Sequence, residues 1–277
     1  MISYYRLSGA GNDFLALVEP ARPPGKEEIR AWCRRGVSLG ADGLFVLSRT
    51  SAGAHVVHHN ADGGRSGLCL NGSRCAAQLA FALGWGHADE LRLETDSGIL
   101  GARRIDERTV ALELPPIVGA PAPAALEVGG RCYDGWAVEV GVPHLVLPWR
   151  TGLGGAPVGE LGPALRAHPD LGPAGANVDF VRFFDRRFEI RTFERGVEAE
   201  TLACGTGVVA AAAAGVAAGY LEPPVRALTA GGFELEVAGA VEDGLLRRTS
   251  LAGDARVVAR GEVLPEPTSV PAPPAWS

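Results

Sequence analysis

Two stretches of the chain share one layout: CLNGSRCAAQLAFALG at residues 69–84 and CGTGVVAAAAAGVAAG at residues 204–219. Each opens with Cys-x-x-Gly, continues as a run of small and apolar residues, and stops at a glycine. This pattern predicts a buried helix that starts directly after the cysteine and ends at a glycine cap. The sequence therefore contains one helix motif twice.

The duplication continues downstream of both helices. The segments LRLETDSGIL (91–100) and VRALTAGGFELEV (225–237) each predict two strands joined by a turn at glycine. Further short β-rich runs, separated by turn residues, are GLFVLSR, HVVHHN, TVALEL, WAVEV, HLVLPW, VDFVRFF and FEIRTF. We therefore expect an α+β fold of two pseudosymmetric lobes, each a mostly antiparallel sheet wrapped on a central helix, with the active site in the cleft between them.

The domain boundaries follow from this duplication. The Pro-, Ala- and Gly-rich stretch 119–131 is expected to contain the crossover between the lobes. The predicted organisation is an N-terminal lobe at 1–118 with Cys69, a C-terminal lobe at 119–254 with Cys204, a returning strand at 255–264, and a disordered Pro-rich tail at 265–277.

Composition excludes several classes of protein. With 47% hydrophobic and 21% charged residues and a net charge of -6, the chain is typical of a globular protein without a basic face for nucleic acid. The longest apolar stretch, 208–221, is too short to span a membrane, and residues 1–14 lack the pattern of a secretory signal. Five cysteines, an odd number, argue against a disulfide framework and for the cytoplasm. We expect a small-molecule amino-acid substrate as the ligand. Whether the chain forms a homodimer is left open.

The two cysteines that open the helices are the candidate reactive groups. At a helix N-terminus the positive end of the helix dipole is expected to lower the thiol pKa of Cys69 and Cys204, and free N–H groups can bind a carboxylate. If the two helices face one another, one sulfur lies on each side of a substrate α-carbon. One thiolate can then remove the α-proton while the opposite thiol returns another. The sequence thus predicts a cofactor-independent amino-acid racemase or epimerase.

The other chemically active side chains have plainer interpretations. We interpret Cys33 and Cys132 as inert small hydrophobic residues, and Cys75 as part of the helix core. Two neighbouring histidines, His58 and His59, point to opposite faces of a predicted strand and so are poorly placed to share a metal ion. No Cys-x-x-Cys pair accompanies them, so we predict no metal site and rank a metal or redox protein last.

Several motifs in order resemble the diaminopimelate epimerase family, from about Leu7 to Glu262. They are GAGNDF (9–14), GADG (40–43), NADG (60–63), CLNGSRC (69–75), PH (143–144), ANVDF (176–180), ERG (194–196) and ETLACGTG (200–207). The resemblance implies epimerisation of L,L-diaminopimelate to meso-diaminopimelate, for lysine and peptidoglycan synthesis, without a cofactor.

The resemblance also implies roles for individual positions. Cys69 and Cys204 would be the acid–base pair, and His144 and Glu194 would poise the two thiols. The backbone at Leu70, Asn71, Gly205 and Thr206 would hold the α-carboxylate, and Asn12, Asn60, Asn177 and Arg195 would bind the substrate's polar groups, with Arg195 on the distal carboxylate. Taken one by one, these residues also fit plainer roles as turn residues, a solvated loop charge and a core histidine.

Departures from the family pattern leave the substrate open. Leu70 and Val142 stand where the family usually has Gly and Asn, and Gly43 and Gly64 also differ. If position 70 needed a positive φ, leucine would be strained there. The alternatives are a racemase of another amino acid on the same scaffold, and a catalytically inactive amino-acid-binding homologue.

Overall fold

Strands and helices alternate along residues 2–264, the part of the chain that the computed structural model describes. The Pro-rich segment 265–277, for which the sequence predicts disorder, lies outside the described residues. The α-helices are α1 Lys26–Cys33, α2 Leu70–Ala82, α3 Val158–Arg166 and α4 Gly205–Ala217. None of the described helices is both long and apolar enough to cross a membrane.

The strands fall into two consecutive series. The first series is β1 Ile2–Gly9, β2 Asn12–Val18, β3 Gly43–Thr50, β4 Gly53–Asn60, β5 Glu90–Thr95, β6 Gly98–Arg104 and β7 Thr109–Glu113. The second is β8 Val118–Val128, β9 Arg131–Glu139, β10 Pro143–Pro148, β11 Asn177–Phe183, β12 Arg187–Glu194, β13 Ala199–Thr201, β14 Val225–Thr229, β15 Glu234–Glu242 and β16 Leu245–Asp254. A last strand, β17 Arg256–Val263, pairs antiparallel with β1.

Hydrogen bonds join these strands in an order that repeats itself. From one edge the order is β17, β1, β2, β3, β4, β5, β6 and β7, and from the other it is β8, β9, β10, β11, β12, β14, β15 and β16. In both halves the third and fifth pairings are parallel and the others antiparallel. An antiparallel pairing of β7 with β16 joins the halves. The α+β class predicted from the sequence is confirmed, and the duplication seen in the sequence recurs in strand order.

Each duplicated helix is enclosed by the strands of its own series. Helix α2 packs against β1 to β7 and β17, whereas α4 packs against β8 to β11, β15 and β16. Nearly every residue of both helices is buried, which explains why α4 is apolar on nearly all faces, whereas α2 also buries the polar side chains of Asn71, Arg74 and Gln78. The predicted glycine stops are confirmed, because Gly84 and Gly219 follow the helices with φ of 73° each.

One predicted connection lies elsewhere. The stretch 119–131, expected to contain the crossover, forms most of strand β8 and a turn at Gly129 and Gly130. Prolines in β8 are tolerated because, within the described chain, this strand pairs with β9 alone and lies at an edge of the sheet. The connection from β7 to β8 therefore occupies residues 114–117, ahead of the predicted stretch.

Candidate active site

Cys69 and Cys204 occupy the same position at the start of their helices. Each is the N-cap residue with extended backbone, and each sulfur accepts a hydrogen bond of 3.4 Å from a glycine N–H, Gly72 for Cys69 and Gly207 for Cys204. A Cβ on Gly72 would lie 2.8 Å from the His58 ring. The glycine of the Cys-x-x-Gly motif is therefore required by close packing rather than by a positive φ.

The N-termini of α2 and α4 lie against one another. A Cβ on Gly205 would lie 2.9 Å from the Cβ of Leu70. The Asn71 side-chain amide donates a 2.9 Å hydrogen bond to the carbonyl of Ala203, the residue before Cys204. Both cysteines consequently line one cleft of about 770 Å³, a size that accommodates an amino acid.

The cleft brings together most of the residues that the sequence singled out. Its lining includes Asn12, Asn60, Cys69, Leu70, Asn71, Asn177, Glu194, Arg195, Cys204, Gly205 and Thr206. His144 is not among the lining residues, and its fully buried ring lies behind Asn177, with Nε2 3.4 Å from the Asn177 amide nitrogen. His144 Nδ1 lies 2.8 Å from Asp179 Oδ2, so a buried His–Asp pair supports this wall of the cleft.

Among the carboxylates of the cleft, Glu194 is the candidate acceptor of a thiol proton. Thr201 Oγ1 donates a hydrogen bond of 2.5 Å to Glu194 Oε1, and Cys204 also hydrogen-bonds to this side chain. Burial raises the pKa of Glu194, and the negative charge of Asp179 adds to that rise. A carboxylate in this position holds a proton more tightly than one in water and can receive it from a thiol.

The sequence prediction of lowered thiol pKa values is wrong. Burial raises the pKa of Cys69 to about 11, against the opposing effect of the Gly72 N–H. Burial also raises the pKa of Cys204 well above its ordinary value, and the nearby Glu194 charge reinforces the shift. Desolvation outweighs the helix N-terminus here, because protein atoms packed around Cys204, which is buried, and Cys69, which is partly buried, replace much of the water that would solvate a thiolate.

A raised pKa leaves both thiols neutral at pH 7, which gives a first prediction. Alkylation of Cys69 by iodoacetamide should accelerate about tenfold per pH unit between pH 7 and 10, because the thiolate fraction rises tenfold per unit below the pKa. Mass spectrometry of the Cys69 peptide measures the rate. In the denatured chain the same thiol should level off above about pH 8.5, its ordinary pKa. A folded-state rate that also levels off there would contradict the raised pKa.

A polar network fixes the two helix starts. The Asn12 side chain donates to Asp42 Oδ2 at 3.2 Å and accepts from Asn71 at 2.5 Å. The fully buried Arg74 donates to Asn71 Oδ1 at 2.7 Å. Asn12 and Asn71 thus use much of their hydrogen-bonding capacity within the protein, and we assign to them first the positioning of the two helix starts.

Three arginines line the cleft, and they differ in their partners. Arg35 forms ion pairs with two aspartates, Asp13 and Asp42, and Arg65 lies 3.4 Å from Asp96. Across residues 2–264 no carboxylate pairs with the Arg195 guanidinium, while the Arg195 backbone N–H donates to Asn177 Oδ1 at 2.8 Å. Arg195 is therefore the cleft cation available to an anionic ligand.

Several important neighbours were missed by sequence reasoning. Asp179, Thr201 and Arg74 lie inside the motifs ANVDF, ETLACGTG and CLNGSRC, yet nothing in one sequence separates them from the residues beside them. Asp179 and Arg74 are distinguished by their complete burial, since a buried charge needs partners, and Thr201 by its hydrogen bond to Glu194. Only the folded chain shows which partners those are.

Two further expectations are resolved. Leu70 is the first residue of α2 and does not have a positive φ, so the strain considered for it does not arise. Cys33 and Cys75 are buried as predicted, whereas Cys132 is exposed, because β9 turns it outward. Within residues 2–264, no group of His, Cys, Asp or Glu side chains is arranged to hold a metal ion.

Comparison with known proteins identifies the family. Residues 136–258 match the sequence model of the family described as diaminopimelate epimerase. The diaminopimelate epimerase of Gemmatimonas aurantiaca is 35% identical over 95% of this chain and 99% of its own length, and that of Aquifex aeolicus is 33% identical over 85% and 89%. The fold resembles a probable proline racemase from Agrobacterium radiobacter, with a TM-score of 0.72 at 16% identity over 96% of this chain and 94% of that one. This chain belongs to the diaminopimelate epimerase family of isomerases.

Proposed function

We propose that the protein converts L,L-diaminopimelate to meso-diaminopimelate by proton transfer between the α-carbon and two cysteines, Cys69 and Cys204, without a cofactor. The observation that carries this proposal is the placement of both sulfurs at equivalent helix N-caps on one cleft. Inversion of an α-carbon requires an acid and a base on opposite faces, and two pseudosymmetric helix starts supply such a pair.

The substrate α-carboxylate binds at the helix starts. Backbone N–H groups at Leu70–Asn71 and Gly205–Thr206 belong to the first turns of α2 and α4, where the helix dipoles favour negative charge. The same groups stabilise the charge that develops when the α-proton leaves. We propose that the two strand series act as two lobes, 1–118 with the returning strand 255–264 and 119–254, on either side of the bound substrate.

Glu194 makes a thiolate available. Its carboxylate accepts the Cys204 thiol proton, so that the Cys204 thiolate removes the substrate proton from one face while the Cys69 thiol delivers its own to the other. In the reverse direction Cys69 is the base and Cys204 the acid. The buried pair of His144 and Asp179 holds Asn177, whose Oδ1 anchors the Arg195 backbone.

The Arg195 guanidinium is proposed to bind the distal carboxylate of the substrate, and this gives a second prediction. Arg195→Met should raise KM for diaminopimelate about 10- to 100-fold, the worth of a charge-assisted hydrogen bond, with a smaller change in kcat. Arg187→Met, a change on β12 outside the cleft, is the matched control and should leave KM unchanged. An unchanged KM in Arg195→Met would remove the distal carboxylate from this site.

A racemase of another amino acid is the second candidate. Val142 lines the cleft, and an apolar side chain there favours a substrate with fewer polar groups. Assays of α-proton exchange in D₂O with diaminopimelate and a panel of L-amino acids discriminate between the two. Exchange confined to diaminopimelate supports the first candidate, exchange with another amino acid supports the second, and no exchange with any of them contradicts both.

Two further points remain predictions. All five cysteines are free thiols, which suits the reducing cytoplasm that we propose as the site of action. Association into a homodimer is to be tested by light scattering of the purified protein.

A further inference from the structure

The two candidate acid–base cysteines have different side-chain neighbours. Cys204 Sγ lies 3.4 Å from the Thr206 hydroxyl and also hydrogen-bonds to Glu194. The residue at the matching place after Cys69 is Asn71, whose amide already serves Asn12 and Ala203. Within residues 2–264, no side chain hydrogen-bonds to the Cys69 sulfur, which accepts from two backbone N–H groups, those of Gly72 at 3.4 Å and Asn71. A thiolate at Cys69 therefore lacks a side-chain donor of the kind that Thr206 offers Cys204.

The His58 ring lies next to Gly72, as the Cys69 sulfur does, and it can supply such a donor. A Cβ built on Gly72 would lie 3.0 Å from His58 Nδ1 and 3.3 Å from Cys69 Sγ, so the ring and the sulfur border the same point. In the second half, the matching Gly207 has Asp179 and Thr192 at this place, at 2.4 and 3.3 Å. The first half thus carries a histidine where the second carries the Asp–Thr pair that supports His144.

The His58 ring is buried and contacts Phe45 and Ser73, while its Nδ1 has no hydrogen-bond partner among the described residues. It is 4% exposed, borders the cleft, and rests edge-on against Phe45 with ring centroids 5.6 Å apart. Nε2 lies 3.4 Å from the Ser73 hydroxyl, a residue on the first turn of α2. Among the described residues Nδ1 has no hydrogen-bond partner although it is fully buried. A buried ring nitrogen without a partner costs free energy, and such atoms often have a role in the reacting state.

His58 is neutral at physiological pH. Burial lowers its pKa to about 4, with Asp96 acting weakly in the opposite direction and His59 adding to the fall. A neutral imidazole has one N–H donor and one acceptor. When the Ser73 hydroxyl donates to Nε2, the hydrogen is on Nδ1, the nitrogen that borders Cys69.

We propose that His58 stabilises the Cys69 thiolate, its Nδ1–H donating a hydrogen bond to the sulfur when that sulfur is deprotonated. His58 acts on the substrate only through Cys69, so it is a positioning residue for the acid–base pair. Its use in turnover rests on the proposed function. The stabilisation itself is a property of the thiol, and it can be measured without substrate.

Other charges around the sulfur do not replace this donor. Glu194 raises the pKa of Cys69 by its negative charge, and Arg74 lowers it by its positive charge. Neither changes when His58 is replaced, since His58 is uncharged. A change in Cys69 reactivity on substitution of His58 therefore reports the hydrogen bond rather than a shift in net charge.

The test measures the alkylation rates of Cys69 and Cys204 side by side at pH 8 to 10 by mass spectrometry. His58→Leu should slow alkylation of Cys69 about 3- to 10-fold, because fewer thiolates form while each is somewhat more nucleophilic. Cys204 should change less than about twofold and serves as the internal control. His58→Gln, which keeps an N–H donor, should restore part of the rate. His59→Leu, at the next position on the same strand, should leave Cys69 unchanged, because His58 and not His59 lies beside Gly72 and the sulfur.

Equal slowing of both cysteines, or equal Cys69 rates in His58→Leu and His59→Leu, would overturn the proposal. If His58→Leu fails to fold, ¹⁵N-histidine spectra of the wild-type protein decide the matter. They must show the hydrogen on Nδ1 at neutral pH, and a hydrogen on Nε2 refutes the donor role. Loss of Cys69 reactivity in a protein that shows no α-proton exchange would keep this inference and reject the proposed function.

Discussion

Replacement of Cys69 or of Cys204 by serine is expected to lower kcat for epimerisation by at least about 10³-fold. A positioned acid or base contributes about 10²- to 10⁴-fold, and each inversion uses both sulfurs. A serine hydroxyl fills almost the same volume but gives up its proton far less readily, so the fold should survive while the proton transfer is lost. Inversion followed by circular dichroism, with α-proton exchange followed in D₂O, measures both steps.

The matched control is Cys132→Ser, since Cys132 is an exposed thiol on β9 away from the cleft. This variant should retain full activity, and all three variants should melt within a few degrees of the wild type. Inversion at the wild-type rate in either Cys69→Ser or Cys204→Ser would rule out the two-cysteine mechanism. A large drop in melting temperature in one of them would show that its sulfur supports the fold, and kinetics would then be compared at a temperature where it is folded.

Glu194→Gln should have the second largest effect, a fall in kcat of about 10²-fold or more. The amide has the shape of the carboxylate and can still accept from Thr201, but it cannot take a proton from Cys204. With both thiols neutral at rest, removal of this acceptor leaves the reaction without its thiolate. KM should change little, because Glu194 acts on the thiol rather than on binding.

The pH profile separates this role from a structural one. Glu194 accepts a proton only when ionised, and its pKa is raised, so wild-type activity should fall as the pH drops through that raised value. In Glu194→Gln this acid limb should disappear. Glu189→Gln, five residues earlier on β12, should keep both the rate and the limb. An unchanged acid limb in Glu194→Gln would assign it to another group.

Sequence patterns alone were sufficient for the elements that local physics controls. Helices α2 and α4 are specified by the Cys-x-x-Gly starts, the apolar runs and the terminal glycines. These features supply the N-cap, the buried face and the left-handed residue that ends a helix, and each depends only on residues that are close in sequence. The duplicated hairpins followed from the same local rules. Ordered motifs also sufficed for the family and for most residues of the cleft.

What only the tertiary structure decided depends on surroundings that are distant in sequence. The sign of the thiol pKa shifts is set by burial of both sulfurs, which outweighs the helix start that the sequence shows. The pairing of His144 with Asp179, and the place of His58 beside Gly72, join strands and helices far apart in the chain. By itself the sequence determined helices α2 and α4, the duplicated hairpins and the family to which they belong. The folded chain decided which groups lose their water and which neighbours they meet, because desolvation and contact are properties of the packed interior.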